Sequence, residues 1–309
     1  MDLRQLNALL SVAEHGSFSA AARALHTVQS NVSTHVARLE KELRTTLIDR
    51  ATGTLTAEGE VVAARARRIQ SELDSLTADV ASLNDEVAGH VRVGVIGTTA
   101  RWLVPRLMEA MREEHPKVRV VVVDATTTSL VPQLETGHLD LAVVNLPLVD
   151  PDVTVVELFD EDHVVIAPVG HALHDRDRIA LADLDGVPLL LEPQGTNFRD
   201  HLDLAAADIG ITLNPLAEVD GMRLLASLAF QGFGAGVVPA SAVRGRTDVE
   251  WRSIPLDGIE GRAVGLASRR RGLPSAPARA LTDVLMRVIA SDGADEAGIH
   301  PRVTRSVNP

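Results

Sequence analysis

Residues 27–38 read TVQSNVSTHVAR, a helical spacing with short hydrogen-bonding side chains on one side and an apolar stripe on the other. Val28, Val32, Val36, Leu39 and Leu43 recur every three or four residues and can face a core. Thr27, Ser30 and Thr34 lie opposite, Gln29 and Asn31 flank them, and Ser33 and Arg38 hold the edges. An ordinary solvated face is dense in Lys and Glu. This one carries groups that read base edges in a DNA major groove, where Asn or Gln can meet adenine through two hydrogen bonds. Gln29, Ser30 and Asn31 sit in the N-terminal turn, the end that enters the groove, while Ser33, Thr34 and Arg38 are placed for phosphates. Arg50 and Thr54, further on, can hold the flanking backbone. Each of these residues taken singly reads equally well as solvated polarity, or for Thr27 as a helix cap. Taken with the elements around them, they read as a DNA contact surface.

A second constellation is a set of threonines just past β-like runs. Thr98 and Thr99 follow VRVGVI; Thr126, Thr127 and Thr128 follow VRVVVV; Thr196, Asn197 and Arg199 follow VPLLLE; Asn145 and Asp220 border the same space. Ligands of α/β domains bind at such strand ends, where helix N-termini point donors at them. The expected ligand is a small anionic effector of the carboxylate kind. Arg199 is its charge partner if it faces inward, and pairs with Asp203 one turn on if it does not. Each threonine also fits the plain duty of an N-cap. With no Tyr, 5 Phe and 2 Trp in the chain, a stacked sugar or flat ring fits less well than a small polar acid, although Trp102 and Phe198 can form one wall.

The elements that must position these groups are legible in outline. A first helix spans about Leu3 to His15, Gly16 ends it, and Ser17 caps a second short helix, FSAAARALH. The quoted stretch is the third, so the order is a helix-turn-helix, and LIDRATGTLTAEGE adds two strand-like pieces around a Thr-Gly turn, the shape of a wing. Val62, Ala66, Ile69, Leu73, Leu76, Val80, Leu83 and Val87 then form a heptad seam between Gly59 and Gly89. A seam this narrow suits a dimerising helix better than one lying on its own domain. From His90 onward, β runs alternate with helical segments in two sets, which predicts a bilobed α/β domain with a cleft. The last residues, 291–309, are small, polar and aperiodic, and are expected to be disordered.

Composition narrows the classes. The net charge of −12 is unevenly spread: residues 1–70 hold nine Lys/Arg against seven Asp/Glu, so the remainder carries −14. A polyanion can therefore bind only at the head. There is no cysteine, which excludes disulfides and thiolate metal sites and fits a reducing compartment. The N-terminus does not read as an export signal and no apolar run reaches the roughly 20 residues of a membrane span, so a cytoplasmic protein without membrane contact is expected.

The head, MDLRQLNALLSVAEHGSFSAAARALHTVQSNVSTHVARLEKEL with LIDR and LTAEGE, strongly resembles the DNA-binding domain of LysR-type transcriptional regulators. GHLDLAVV, APVGHAL and GFGAGVVP extend the resemblance across nearly the whole chain. It implies a winged helix-turn-helix (1–58), a linker helix that dimerises (59–89) and a periplasmic-binding-protein-like effector domain (90–290), with lobe I at 90–161 plus 266–290 and lobe II at 162–265. It further implies a homodimer assembled into a homotetramer, double-stranded DNA with an inverted-repeat operator, a small-molecule effector and RNA polymerase as partners, and no cofactor. Three positions depart from the family's usual residues: Val28 stands where Ser is common, Thr34 where Arg is common and Arg44 where Gly is usual.

Other motifs carry less. His171 and His174 have metal-like spacing but no further ligand, and read as a solvated loop. GFGAG falls between a helix and a strand, the reverse of a phosphate loop, and the RRR run at 269–271 reads as exposed surface. No nucleophile elbow or paired-carboxylate site supports catalysis. A transport-type solute-binding protein would explain residues 90–290 alone, but not the head; a cytoplasmic enzyme on the same scaffold is a more distant alternative.

Overall fold

Asp2 opens the first helix, Leu3–His15 (α1), with a capping box: its carboxylate accepts from the Gln5 amide and the Gln5 side chain returns to the Asp2 amide. Gly16, at φ 69°, closes that helix and Ser17 caps the next, Phe18–Ala24 (α2). Gln29–Leu43 (α3) buries Val32, Val36 and Leu39 against Leu6, Leu9, Val12, Ala21 and Ala22 in one small core. Arg44 ends α3 in the left-handed region, at φ 56°, where a glycine would sit without strain. The wing is slighter than its sequence suggests. A single bridge, Ile48 to Leu55, replaces two strands, because the turn closes at once through Asp49 N to Thr54 O and Gly53 N to Asp49 O.

Ala57–Ser82 (α4) is one helix of 26 residues. Gly59 is not its boundary but lies in its first turn, where a β-carbon would stand 2.0 Å from the Leu47 carbonyl oxygen. The seam divides. Val62 and Ala66 belong to the head's own core, because α4 crosses α1, whereas Ile69, Leu76 and Val80 are left 39%, 62% and 58% exposed. The structure, a computed structural model, describes residues 1–82, 87–243, 250–293 and 297–302, so Leu83 lies outside it.

Beyond α4 the chain builds two sheets. Gly89–Val95 (β1), Val118–Asp124 (β2) and Leu141–Asn145 (β3) run parallel, linked by Gly97–Glu114 (α5) and Thr127–Thr136 (α6). Val153–Glu161 (β4) follows, and after the single residue Asp162 the chain enters the second sheet as His163–Pro168 (β5). That sheet continues with Ile179–Ala180 (β6), Pro188–Leu191 (β7), Asn197–Asp208 (α7), Asn214–Glu218 (β8), Met222–Phe230 (α8), Ala235–Pro239 (β9) and Trp251–Asp257 (β10). Arg262–Arg269 (β11) crosses back, followed by Ala276–Asp292 (α9) and Ile299–Pro301 (β12). The orders are β12-β4-β11-β3-β1-β2 and β6-β10-β5-β9-β7-β8.

Three expectations change here. The crossing back falls within residues 258–261, so 262–265 join the first lobe, drawn there by the pairing of Arg262 with Glu161 in the ladder. The tail is ordered in part: Ile299, 3% exposed, pairs with β4 and fills the first core, while residues 294–296 and 303–309 lie outside the described residues. In the RRR run, Arg269 is half-buried and donates to the Leu134 and Leu139 carbonyls, and Arg270 donates to Val153 O. Among the described residues no helix is long and apolar enough to cross a membrane.

Candidate functional site

The N-terminal turn of α3 is uncapped. Val28 occupies the N-cap position and makes no side-chain bond, so Thr27 does not cap; its hydroxyl instead accepts from Asn31 Nδ2 at 3.0 Å. The amides of Asn31 and Val32 return to Val28 O, which leaves those of Gln29 and Ser30 pointing outward with no intrahelical partner. Gln29, Ser30, Asn31, Thr34 and Arg38 are exposed and Ser33 is half-buried. Thr34 is spent locally, donating to Ser30 O at 2.7 Å. At the wing, Arg50 lies 5.7 Å above the Phe18 ring and 3.5 Å from Glu40, near the C-terminal end of α3, and Thr54 lies 2.7 Å from Thr52. Glu40 in turn fixes the wing by accepting from Leu47 N at 2.9 Å. The face expected to meet DNA is thus solvent-facing and held rigid from behind.

The residues of the threonine loops have different duties. Thr98 and Thr99 are in the first turn of α5, buried, and both are taken by Arg262, whose Nη2 lies 2.6 Å from Thr98 Oγ1 and 3.5 Å from Thr99 Oγ1. Arg262 also binds Glu161 at 2.7 Å through Nε, and Glu161, fully buried, accepts from Ser241 N at 2.5 Å. Thr127 Oγ1 accepts from Asn145 N at 3.0 Å; Thr126 and Thr128 face each other at 2.9 Å on the exposed end of α6. Asn145 Oδ1 is buried without a partner. Thr196 caps α7, as the plain reading of a threonine there has it, and Asn197 is exposed beside it.

Arg199 does not face the cleft. It is 3% exposed and donates to Asp203 at 2.9 Å, to Glu192 O at 2.9 Å and to Glu218 at 3.1 Å. The pairing with Asp203 is the expected alternative, except that it is buried rather than on the surface. A cation that does link the two lobes is Arg223, in the first turn of α8. It pairs with Asp124 at the end of β2. Gly97 makes room for that pair: a β-carbon there would be 3.1 Å from both Arg223 Nε and Asp124 Oδ1. Deeper in, burial pushes the Glu192 carboxyl up, the Thr196 hydroxyl opposing it and the charge of Asp220 adding to it. His163, 2% exposed, has no partner for either ring nitrogen and packs 5.1 Å from the Phe198 ring. Burial, then the charge of Arg262, pushes its pKa down to about 3, so it is neutral. Among the described residues no group of His, Asp and Glu could hold a metal ion, and His171 and His174 bond within their own loop.

Two family models match. One, described as a bacterial regulatory helix-turn-helix protein of the lysR family, covers residues 3–60, and the other, the LysR substrate binding domain, covers residues 84–290. The chain belongs to the LysR family of transcriptional regulators. It is therefore a DNA-binding transcriptional regulator with an effector-binding domain. A probable hydrogen peroxide-inducible genes activator of Streptomyces viridosporus is 34% identical over 275 residues, 86% of this chain and 88% of that one. Among solved structures, a full-length OxyR cysteine-to-aspartate variant from Pseudomonas aeruginosa is 25% identical, with a TM-score of 0.75 over 100% of this chain and 99% of that one. A Corynebacterium glutamicum OxyR cysteine-to-serine variant with H2O2 bound is also 25% identical, with a TM-score of 0.60 over 93% of this chain and 92% of that one. Both of those OxyR proteins carry a substituted cysteine. This LysR-family chain has no cysteine at all.

Sequence reasoning missed Glu161, His163, Arg223, Asp124 and Arg262. Glu161 shared its only signal with two neighbours, as one of three acids, Asp160, Glu161 and Asp162, between the apolar runs VVELF and HVVIAPV. The others acquire their place only through partners distant in sequence.

Proposed function

We propose that this regulator binds an inverted-repeat operator through the N-terminal turn of α3, as a dimer joined along the exposed part of α4 and assembled into a tetramer. In that reading residues 1–58 are the reading head, 59–89 the linker and 90–290 the sensor, with RNA polymerase a further partner. The uncapped turn carries the reading. Free amides at Gln29 and Ser30 suit a phosphate, and Gln29 and Asn31 beside them suit base edges. Fluorescence anisotropy with a duplex from upstream of its own gene, over a series of salt concentrations, tests it. Gln29→Ala and Asn31→Ala should each remove about 1–3 kcal/mol of discrimination without changing the salt slope, whereas Arg38→Ala should lower the slope by about one. Equal affinity for operator and random duplex would overturn the assignment.

For the effector, the carboxylate reading loses its support, since Arg199 is turned away and Arg223 and Arg262 already hold Asp124 and Glu161. Buried groups left wanting include an acceptor, Asn145 Oδ1, and the neutral His163 ring with one donor and one acceptor, which together call for a molecule whose O–H both donates and accepts. A small uncharged hydroxyl-bearing molecule meets that need. Hydrogen peroxide, for which the relatives are named, has this chemistry. In a chain without cysteine it could act by binding, not by oxidising a thiol. A thermal-shift screen of small alcohols and hydroperoxides against small carboxylic acids separates the two classes, because a bound ligand raises the melting temperature by mass action. Stabilisation by an acid alone would restore the carboxylate.

A further inference from the structure

Both ends of α6 meet something that matters. At its N-terminus are Thr126, Thr127 and Thr128, the candidate effector residues, and Thr127 Oγ1 accepts from Asn145 N at the end of β3. At its C-terminus, some 15 Å away for ten residues, it touches the linker helix. There Arg68 of α4 donates from Nε to Glu135 O at 2.7 Å and from Nη2 to the same oxygen. Gly137, in the left-handed cap of α6, is close enough that a β-carbon would lie 3.6 Å from the Arg68 backbone. A cation on the last carbonyls of a helix meets the negative end of its dipole, so charge and shape agree.

We propose that α6 is the strut that couples the effector cleft to the linker helix, and that Arg68 is the positioning residue at its far end. This rests on the regulator reading above. The body of α6 is suited to moving as a unit. Leu130 and Leu134 are fully buried, and Gly94 of β1 lets the helix lie so close that a β-carbon there would be 2.5 Å from Leu130 Cδ2. A strut packed this tightly passes a displacement on and does not absorb it. Arg269 of β11 holds the adjacent Leu134 carbonyl at 3.4 Å, so the last turn of α6 is shared between the sheet and the linker.

A second contact gives the linker its pivot. Asp79 Oδ1 accepts from Ala276 N at 3.0 Å and from Arg279 at 3.1 Å, at the N-terminus of α9, again matching a helix end by charge. Arg68 and Asp79 are eleven residues apart, close to three whole turns, so they share one face of α4. Asp79 grips a helix that carries none of the candidate effector residues. Arg68 grips one that carries Thr127 and Thr128. A shift of α6 against a fixed Asp79 contact tilts α4, and with it the head that α4 carries through Ala63 and Ala66.

Because coupling between sites is reciprocal, DNA at the head must be felt at α6. Hydrogen exchange of the full-length protein, with and without a saturating duplex from upstream of its own gene, reads this at residues 126–136. The exchange of that segment should change about five-fold on DNA binding in the wild type. Arg68→Ala should abolish the change, Arg68→Lys should restore part of it, and Asp79→Asn, which loosens the pivot, should reduce it without abolishing it. Arg68→Gln serves in the same role should the alanine variant fail to fold. The proposal is overturned if the duplex binds and the segment is unaffected in the wild type, or if removing the guanidinium leaves the response intact. Failure of the wild type to bind the duplex at all would overturn the regulator reading, and this coupling with it.

Discussion

At the scale of single residues, the cleft shows how far chemistry depends on partners distant in sequence. His163 is held neutral where an unfolded chain would let it titrate normally. Its folded pKa, about 3, lies below the ordinary 6.5, so the unfolded state takes up a proton that the folded state refuses. Stability therefore falls as the pH drops from 6.5 towards 3, by up to about 1.4 kcal/mol per unit from this group. Urea melts at pH 7 and pH 5 should show that loss, and His163→Leu should flatten it; an unchanged slope in the variant would assign the effect elsewhere. The threonines and Asn145 were visible in the sequence because strand ends recruit such residues. The orientation of Arg199 was not, because Asp203, one turn away, could be reached from either side of the helix. Arg262 was invisible for a plainer reason: its partner Glu161 lies 101 residues earlier.

At the scale of elements, the runs that are apolar on both faces were legible and became β1, β2, β3, β5, β7 and β9. The strands at or near the sheet margins were not. β8 is exposed at every position, and β10 buries only Trp251, Ile254 and Leu256, too few to stand out. β12 is anchored by one apolar residue, Ile299. The linker shows the opposite error, a periodicity that was real but did two jobs: its first turns pack on the head and its later ones remain open. Where those first turns meet the wing, the fit leaves no space for a methyl group. Gly59→Ala should destabilise the head by about 1–3 kcal/mol, the usual cost of overpacking, and a thermal melt of the variant should show it. A melt equal to wild type would mean that the contact between Gly59 and Leu47 is looser than described.

At the scale of the whole molecule, the exposed strip Ile69, Leu76 and Val80 is the surface through which two copies are proposed to join. Leu76→Arg places a charge in the middle of that strip. Sedimentation should then shift towards the monomer, and operator affinity should fall because paired heads gain from their effective concentration. A variant that sediments as the wild type does would exclude the strip as the joining surface. One detail of the effector domain bears on how such an assembly can move. The chain passes between the two sheets at Asp162 and again within residues 258–261, and beside these passages Glu161 and Arg262 are paired both in the ladder and by charge. Two adjoining tethers, riveted together, forbid the lobes from sliding past one another and permit them only to swing, like covers about a spine. Any signal leaving this domain is then an angle, largest at the rim furthest from that rivet.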